Sequence, residues 1–171
     1  MKIKSSFLFI ALLASATIFN GCAKDGATGP AGKDGNANVT SSNTVTLNNW
    51  SSDFDDGTDY TYSSTISWAS ITQAIKDKGI VMVYADDKAG SWVALPYTDA
   101  GTGYSSTLNF YVKVGSVKIE YTGYDSPSPG TSSLNGTIVR IVAIASSSRE
   151  AHPNVDLKNY NEVKKVFNLK D

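Results

Sequence analysis

One cysteine and one histidine in 171 residues remove several chemistries at the outset. With Cys22 alone no intrachain disulfide can form, and a lone cysteine in an exported chain asks for its own explanation. With His152 alone there is no Cys/His cluster for zinc. A Ser-His-Asp triad would have to use His152, which precedes Pro153 in a polar segment, and no Gly-x-Ser-x-Gly elbow occurs. His152 therefore reads as a surface-loop residue. Glutamate is scarce as well: Glu120 falls on the exposed side of a strand pattern, Glu162 at a helix start, and Glu150 is the only other. The acid pair facing across a cleft that a glycosidase needs is not in view, and a non-catalytic protein without a cofactor is expected. Basic residues (15) do not outnumber acidic ones (16) and form no patch, so nucleic acid is not an expected partner. The apolar stretch Phe7 to Phe19 is too short to span a bilayer, which takes roughly 20 apolar residues.

What that stretch does fit is a secretory signal. Met1-Lys2-Ile3-Lys4 supplies a basic start, FLFIALLASATIF the apolar middle, and Gly21 a small residue before a cut. Residues 1–21 are read as a signal peptide. Gly21-Cys22 directly after it resembles the lipobox of bacterial lipoproteins, with Phe19 and Asn20 standing where that family favours leucine and a small residue. The resemblance implies that the Cys22 thiol receives a diacylglyceryl group and that the new N-terminus is cut and acylated. Two or three acyl chains on one residue anchor stably where a single chain does not. Ala23-Lys24-Asp25 is similar to the short charged signals that send such lipoproteins to the outer face of the outer membrane, so a lipid-anchored, cell-surface location is expected. The membrane is then a partner through the anchor.

Residues 22–37 continue as a linker. Gly26, Gly29, Gly32 and Gly35 open collagen-like triplets. Glycine at every third place is what the crowded axis of a triple helix requires, but Pro30 is the only imino acid and so short a run cannot hold three chains together. A polar spacer is expected, and a monomer. At full extension, about 15 residues reach on the order of 50 Å.

Residues 38–171 read as one domain. With 41% hydrophobic and 18% charged residues the chain is globular, and its wealth of Ser, Thr, Asn, Gly and Tyr is that of a β-rich exported protein. Leu108, Phe110, Val112 and Val114 alternate with polar neighbours, as do Val117, Ile119 and Tyr121, and Gly115-Ser116 between them predicts a type II′ hairpin. Gly79 to Tyr84 is a continuous apolar run, a strand covered on both sides. Ser91 to Leu95 and Thr137 to Ala145 are further strands, with Asp86 to Gly90 as a polar hairpin loop, and Asn38 to Leu47 and Asp59 to Trp68 are strand candidates. Ser70 with Gln73, and Asn159 with Glu162, look like capping boxes opening two helices. The fold class expected is all-β: a β-sandwich, with a barrel as the alternative, carrying one short internal helix and one C-terminal helix.

The chain as a whole resembles a group of Bacteroidetes lipoproteins with a short collagen-like run after the lipidated cysteine. GATGPAGKDGNANV, ITQAIKDKGIVMVYA, SWVALP and YNEVKKVFNL carry the likeness. The group has no established biochemical activity, so the resemblance implies location and architecture and no catalytic residue.

Two clusters remain as candidate sites. Asp53, Asp55, Asp56 and Asp59 crowd around Gly57, and carboxylates in such a loop could wrap Ca²⁺; the spacing misses the D-x-D-x-D-G pattern and no glutamate closes the loop, so a solvated turn is the plainer reading. Trp92, Tyr97 and Tyr104 border polar loops, where amphipathic rings make platforms for a glycan or a protein ligand, and a carbohydrate-binding accessory lipoprotein for glycan uptake is the alternative to a β domain of unknown ligand. Asp125 stands alone in a Pro/Ser/Gly-rich loop and reads as exposed and inert.

Overall fold

The computed structural model describes residues 38–170, and the expected signal peptide, Cys22 and the linker lie outside the described residues. Among the described residues, ten strands form two antiparallel sheets facing each other as a sandwich. Sheet A holds β1 (Val39–Ser41), β2 (Val45–Leu47), β5 (Ile80–Asp86), β6 (Trp92–Ala94) and β10 (Thr137–Ile144). Central β10 pairs with β5 along one side and with both β1 and β2 along the other, and β6 edges β5. Sheet B runs in the order β3 (Ser51–Asp55), β4 (Tyr60–Ser67), β9 (Ser116–Tyr124), β8 (Tyr104–Lys113), β7 (Tyr97–Gly101). No helix among the described residues is long and apolar enough to cross a membrane.

The period-two residues meet between the sheets. Val83, Ala85, Val139, Ile141 and Ala143 from sheet A pack against Ile66, Val117, Ile119 and Phe110 from sheet B. Alternate residues point to opposite faces of a strand. The continuous run in β5 is therefore covered twice: Val81, Val83 and Ala85 face sheet B, while Ile80, Met82 and Tyr84 face outward. What covers the outward face is the chain's end. Helix α3 (Tyr160–Val166) and its flanks lay Tyr160, Val163, Phe167 and Leu169 onto Val39, Tyr84, Val142 and Ile144. The outer face of sheet B is open and polar, crossed by Lys118, which pairs with Glu120 and reaches Asp53 at 3.9 Å.

Several local expectations shift. The hairpin register pairs Lys113 with Ser116, so the two-residue loop is Val114-Gly115 and glycine takes its second place, with φ +77°. Val114 belongs to that loop and is exposed, not part of the core stripe. Helix α1 (Gln73–Lys78) starts later than Ser70 would place it. Thr72 is its cap, accepting from the Ile75 N–H at 3.2 Å, because Ile71 is fully buried between the sheets and holds the preceding residues in a turn. At its end Gly79 serves close approach: a Cβ there would lie 2.7 Å from the Ile144 carbonyl oxygen. Asn159 does cap α3, accepting from the Glu162 N–H, but Glu162 reaches back to the Asp156 N–H and not to Asn159. A third helix, α2 (Ser146–Ala151), has no side-chain cap and no apolar period, so nothing in SSSREA announces it.

Candidate functional site

The strand register gives the sandwich two distinct ends. Val39 pairs with Ile144 and Leu47 with Thr137, at opposite ends of β10. Those ends are about 23 Å apart at roughly 3.3 Å per residue. The chain therefore enters the domain at the Ile144 end. The Val114-Gly115 loop lies on that side too, tied through Gly115 N–H to the Ile71 carbonyl at 2.8 Å, one helix away from Gly79 and Ile144. The Thr137 end gathers the β2–β3 loop, the acidic loop, the β5–β6 loop, the β7–β8 turn and the long β9–β10 segment.

The acidic residues are spread over this end rather than gathered. Asp53 and Asp55 belong to β3, which bulges between Ser52 and Phe54, and not to a loop. The Asp55 carboxylate accepts from the Gly57 N–H at 2.9 Å, from the Ser128 hydroxyl at 2.8 Å and from the Tyr62 hydroxyl. Asp56 accepts from the Thr58 N–H and hydroxyl and the Asp59 N–H, the local bonding by which aspartate shapes a turn. Asp59 accepts from the Asp125 N–H at 3.0 Å, which gives Asp125 a place at the turn where φ is +52°. No group of three or more acids, histidines or cysteines among the described residues is arranged to hold a metal ion.

Asp55 instead acts as a latch. Through Ser128 it pins the Pro/Ser/Gly-rich segment over the buried, stacked Tyr60 and Tyr62, whose ring centroids are 5.4 Å apart. The hydroxyl of Tyr62, then that of Ser128, then the Gly57 N–H stabilise the carboxylate and hold Asp55 below the usual value. A carboxyl group whose folded value is depressed stabilises the fold above its unfolded value, near about 4, and loses that contribution as pH falls through the folded value. Asp55→Asn is therefore expected to melt below the parent at pH 7, with the gap closing in more acidic solution. Melting curves from pH 7 to pH 2 check this, and a gap independent of pH would contradict it.

The aromatic candidates do not converge. Trp92 lies half-buried in β6 on the outer side of sheet A, its ring 5.5 Å from that of Tyr160 and 5.4 Å from the Arg140 guanidinium. It borders a depression of about 330 Å³ with Asp156, Lys158 and Asn161. Tyr97 and Tyr104 sit on sheet B, and most of the residues between them are strand and not loop: Tyr97–Gly101 is edge strand β7, paired along β8, with only Thr102-Gly103 left as the turn. Tyr104 folds across Gly101, and both tyrosines are about half exposed. His152 is exposed as expected, with its ring edge-on to Phe167.

Another tryptophan has the better setting. Trp50 is half-buried, packs against the inter-sheet core and lines a depression of about 430 Å³ at the Thr137 end. Its indole N–H donates to the Leu134 carbonyl at 3.1 Å, which fixes the ring. Asn48, Asn49, Ser51, Thr131, Ser132 and Asn135 complete the lining, and none is ionisable. Asn48 accepts from the Gly136 N–H at 3.0 Å, joining the two walls. One wall is thus the β2–β3 loop, and the other the segment that Asp55 latches. Against family models, curated proteins and solved structures the chain finds no match.

Proposed function

We propose that this chain is a lipoprotein anchored through Cys22, exposed on the outer membrane, whose sandwich is a non-catalytic binding domain. The observation that carries the reading is the separation of the two ends: the chain enters beside Ile144, and the loops with their aromatic and amide side chains lie at the Thr137 end. A linker joined at one end leaves the other free to meet a ligand. The roles found for the acids support the non-catalytic part, since the Asp55, Asp56 and Asp59 carboxylates are engaged in turn and latch hydrogen bonds.

Cys22→Ser is the test. The variant is expected to shift from the membrane to the soluble fraction and to lose incorporation of labelled palmitate, while the parent on intact cells is degraded by added protease. A variant that stays membrane-bound and processed would sink the anchor; a parent resistant to protease on intact cells would move the domain to the periplasmic side.

A further inference from the structure

We infer that the Trp50 depression is a binding site for a neutral saccharide. The inference rests on the reading of the sandwich as a binding domain and names the ligand class for it. At about 430 Å³ the depression lies within the roughly 300–1,000 Å³ of small-ligand sites. Its lining decides the chemistry. Asparagine amides and Ser/Thr hydroxyls each offer both a donor and an acceptor, which is the complement of a sugar hydroxyl. Lys, Arg, Asp and Glu are absent from the lining, so a charged ligand would find no counter-charge.

A pyranose has one face of C–H groups, and an indole ring presents a flat apolar surface for such a face. Trp50 offers that surface already fixed. Its N–H is spent on Leu134, and among the described residues no other ring or cation stacks on it. Trp92, by contrast, is already taken up by Tyr160 and Arg140 and stands beside Lys158 and Asp156. The Trp50 site is also preorganised. The Asn48–Gly136 bond ties its walls together, and the Asp55–Ser128 bond holds the segment carrying Thr131, Ser132 and Asn135. Little ordering is then left for the ligand to drive.

The full chain, purified in a detergent without a sugar headgroup, is titrated calorimetrically with cellobiose, maltose and N,N′-diacetylchitobiose, and with digalacturonate as the charged comparison. At least one neutral disaccharide is expected to bind with a Kd of about 0.1–1 mM. Trp50→Ala should abolish that binding. Because Trp50 also touches the core, the deciding variants are Asn49→Ala and Asn135→Ala, both on exposed residues. Each should weaken binding roughly 3–10-fold, the worth of one hydrogen bond, with an unchanged melting temperature. Silence from all three neutral sugars up to about 10 mM, tighter binding of digalacturonate, or indifference to both asparagine variants overturns the saccharide site. The anchor is read separately: those results leave the Cys22→Ser fractionation as it stands, and a failed fractionation leaves the titration as it stands.

Discussion

Ending the chain at Lys158 is expected to abolish cooperative unfolding of the domain, although every strand is retained. The removed residues look dispensable in sequence: a short helix and a tail after the last strand. In the fold they are the third layer. Tyr160, Val163, Phe167 and Leu169 are all buried, and they hide Tyr84, Val142, Ile144 and Val39, the outward half of sheet A's two central strands and one edge. Burying one such side chain contributes about 1.5–3 kcal/mol, against a total stability of roughly 5–15 kcal/mol for a domain. The bared face would be a continuous apolar patch, a cause of self-association in its own right. Truncation also removes the Tyr160 hydroxyl to which buried Arg140 donates. A graded version of the same test is Phe167→Ala, expected to cost about 3–5 kcal/mol, beside exposed Lys165→Ala at no more than about 0.5 kcal/mol. Circular dichroism melts distinguish these. A truncated chain melting within a few degrees of the parent would mean that the C-terminal layer is not part of the core.

How much of this could be read from the chain depends on what each element had to bury. Strands β5, β8, β9 and β10 declare themselves, because their apolar residues face a core on one side or both and the period follows. β7 does not: its residues YTDAG are all exposed, and it is a strand only because β8 offers an unpaired edge. α2 is silent too, because SSSREA has no large apolar residue to set a period. The site was legible in parts. The aromatic, loop-rich character pointed at a binding surface, but Trp92, Tyr97 and Tyr104 fall on different sheets. The depression at Trp50 joins residues some eighty positions apart, as the Trp50–Leu134 bond does. Locally, Asn48-Asn49 and Asn135-Gly136 say only that the chain turns there. The aspartates mislead in the other direction. Their density alone would suggest an ion, but the spacing already favours a solvated turn, and each finds a backbone, hydroxyl or ammonium partner of its own, since short carboxylates bond readily to N–H groups two or three residues on.

Gly123→Ala carries the second large effect, and here the sign is the informative part. Glycine inside a strand ordinarily costs about 0.5–1 kcal/mol relative to alanine, so the substitution would stabilise an unremarkable position. Gly123 is not one. It pairs with Tyr60 across β4 and β9, and the tyrosine ring lies over it: an added Cβ would stand 2.1 Å from the ring carbon that bears the hydroxyl. The ring cannot swing clear, because it is 3% exposed and stacks on both Tyr62 and Tyr121, at 5.4 and 5.8 Å. Overpacking of this kind costs about 1–3 kcal/mol, more for valine than for alanine. Gly101 is the internal comparison. A Cβ there would meet Tyr104 equally closely, but Tyr104 is 43% exposed and can turn away into solvent, so Gly101→Ala should be close to neutral. Denaturant melts of the two variants should therefore diverge, and a neutral or stabilising Gly123→Ala would show that the tyrosine stack is not packed as described. The stack lies under the segment that begins at Asp125 and forms one wall of the Trp50 depression. Displacing Tyr60 would disturb Tyr62, and with it the Asp55–Ser128 latch, so Gly123→Ala is expected to weaken sugar binding at a site that it does not touch.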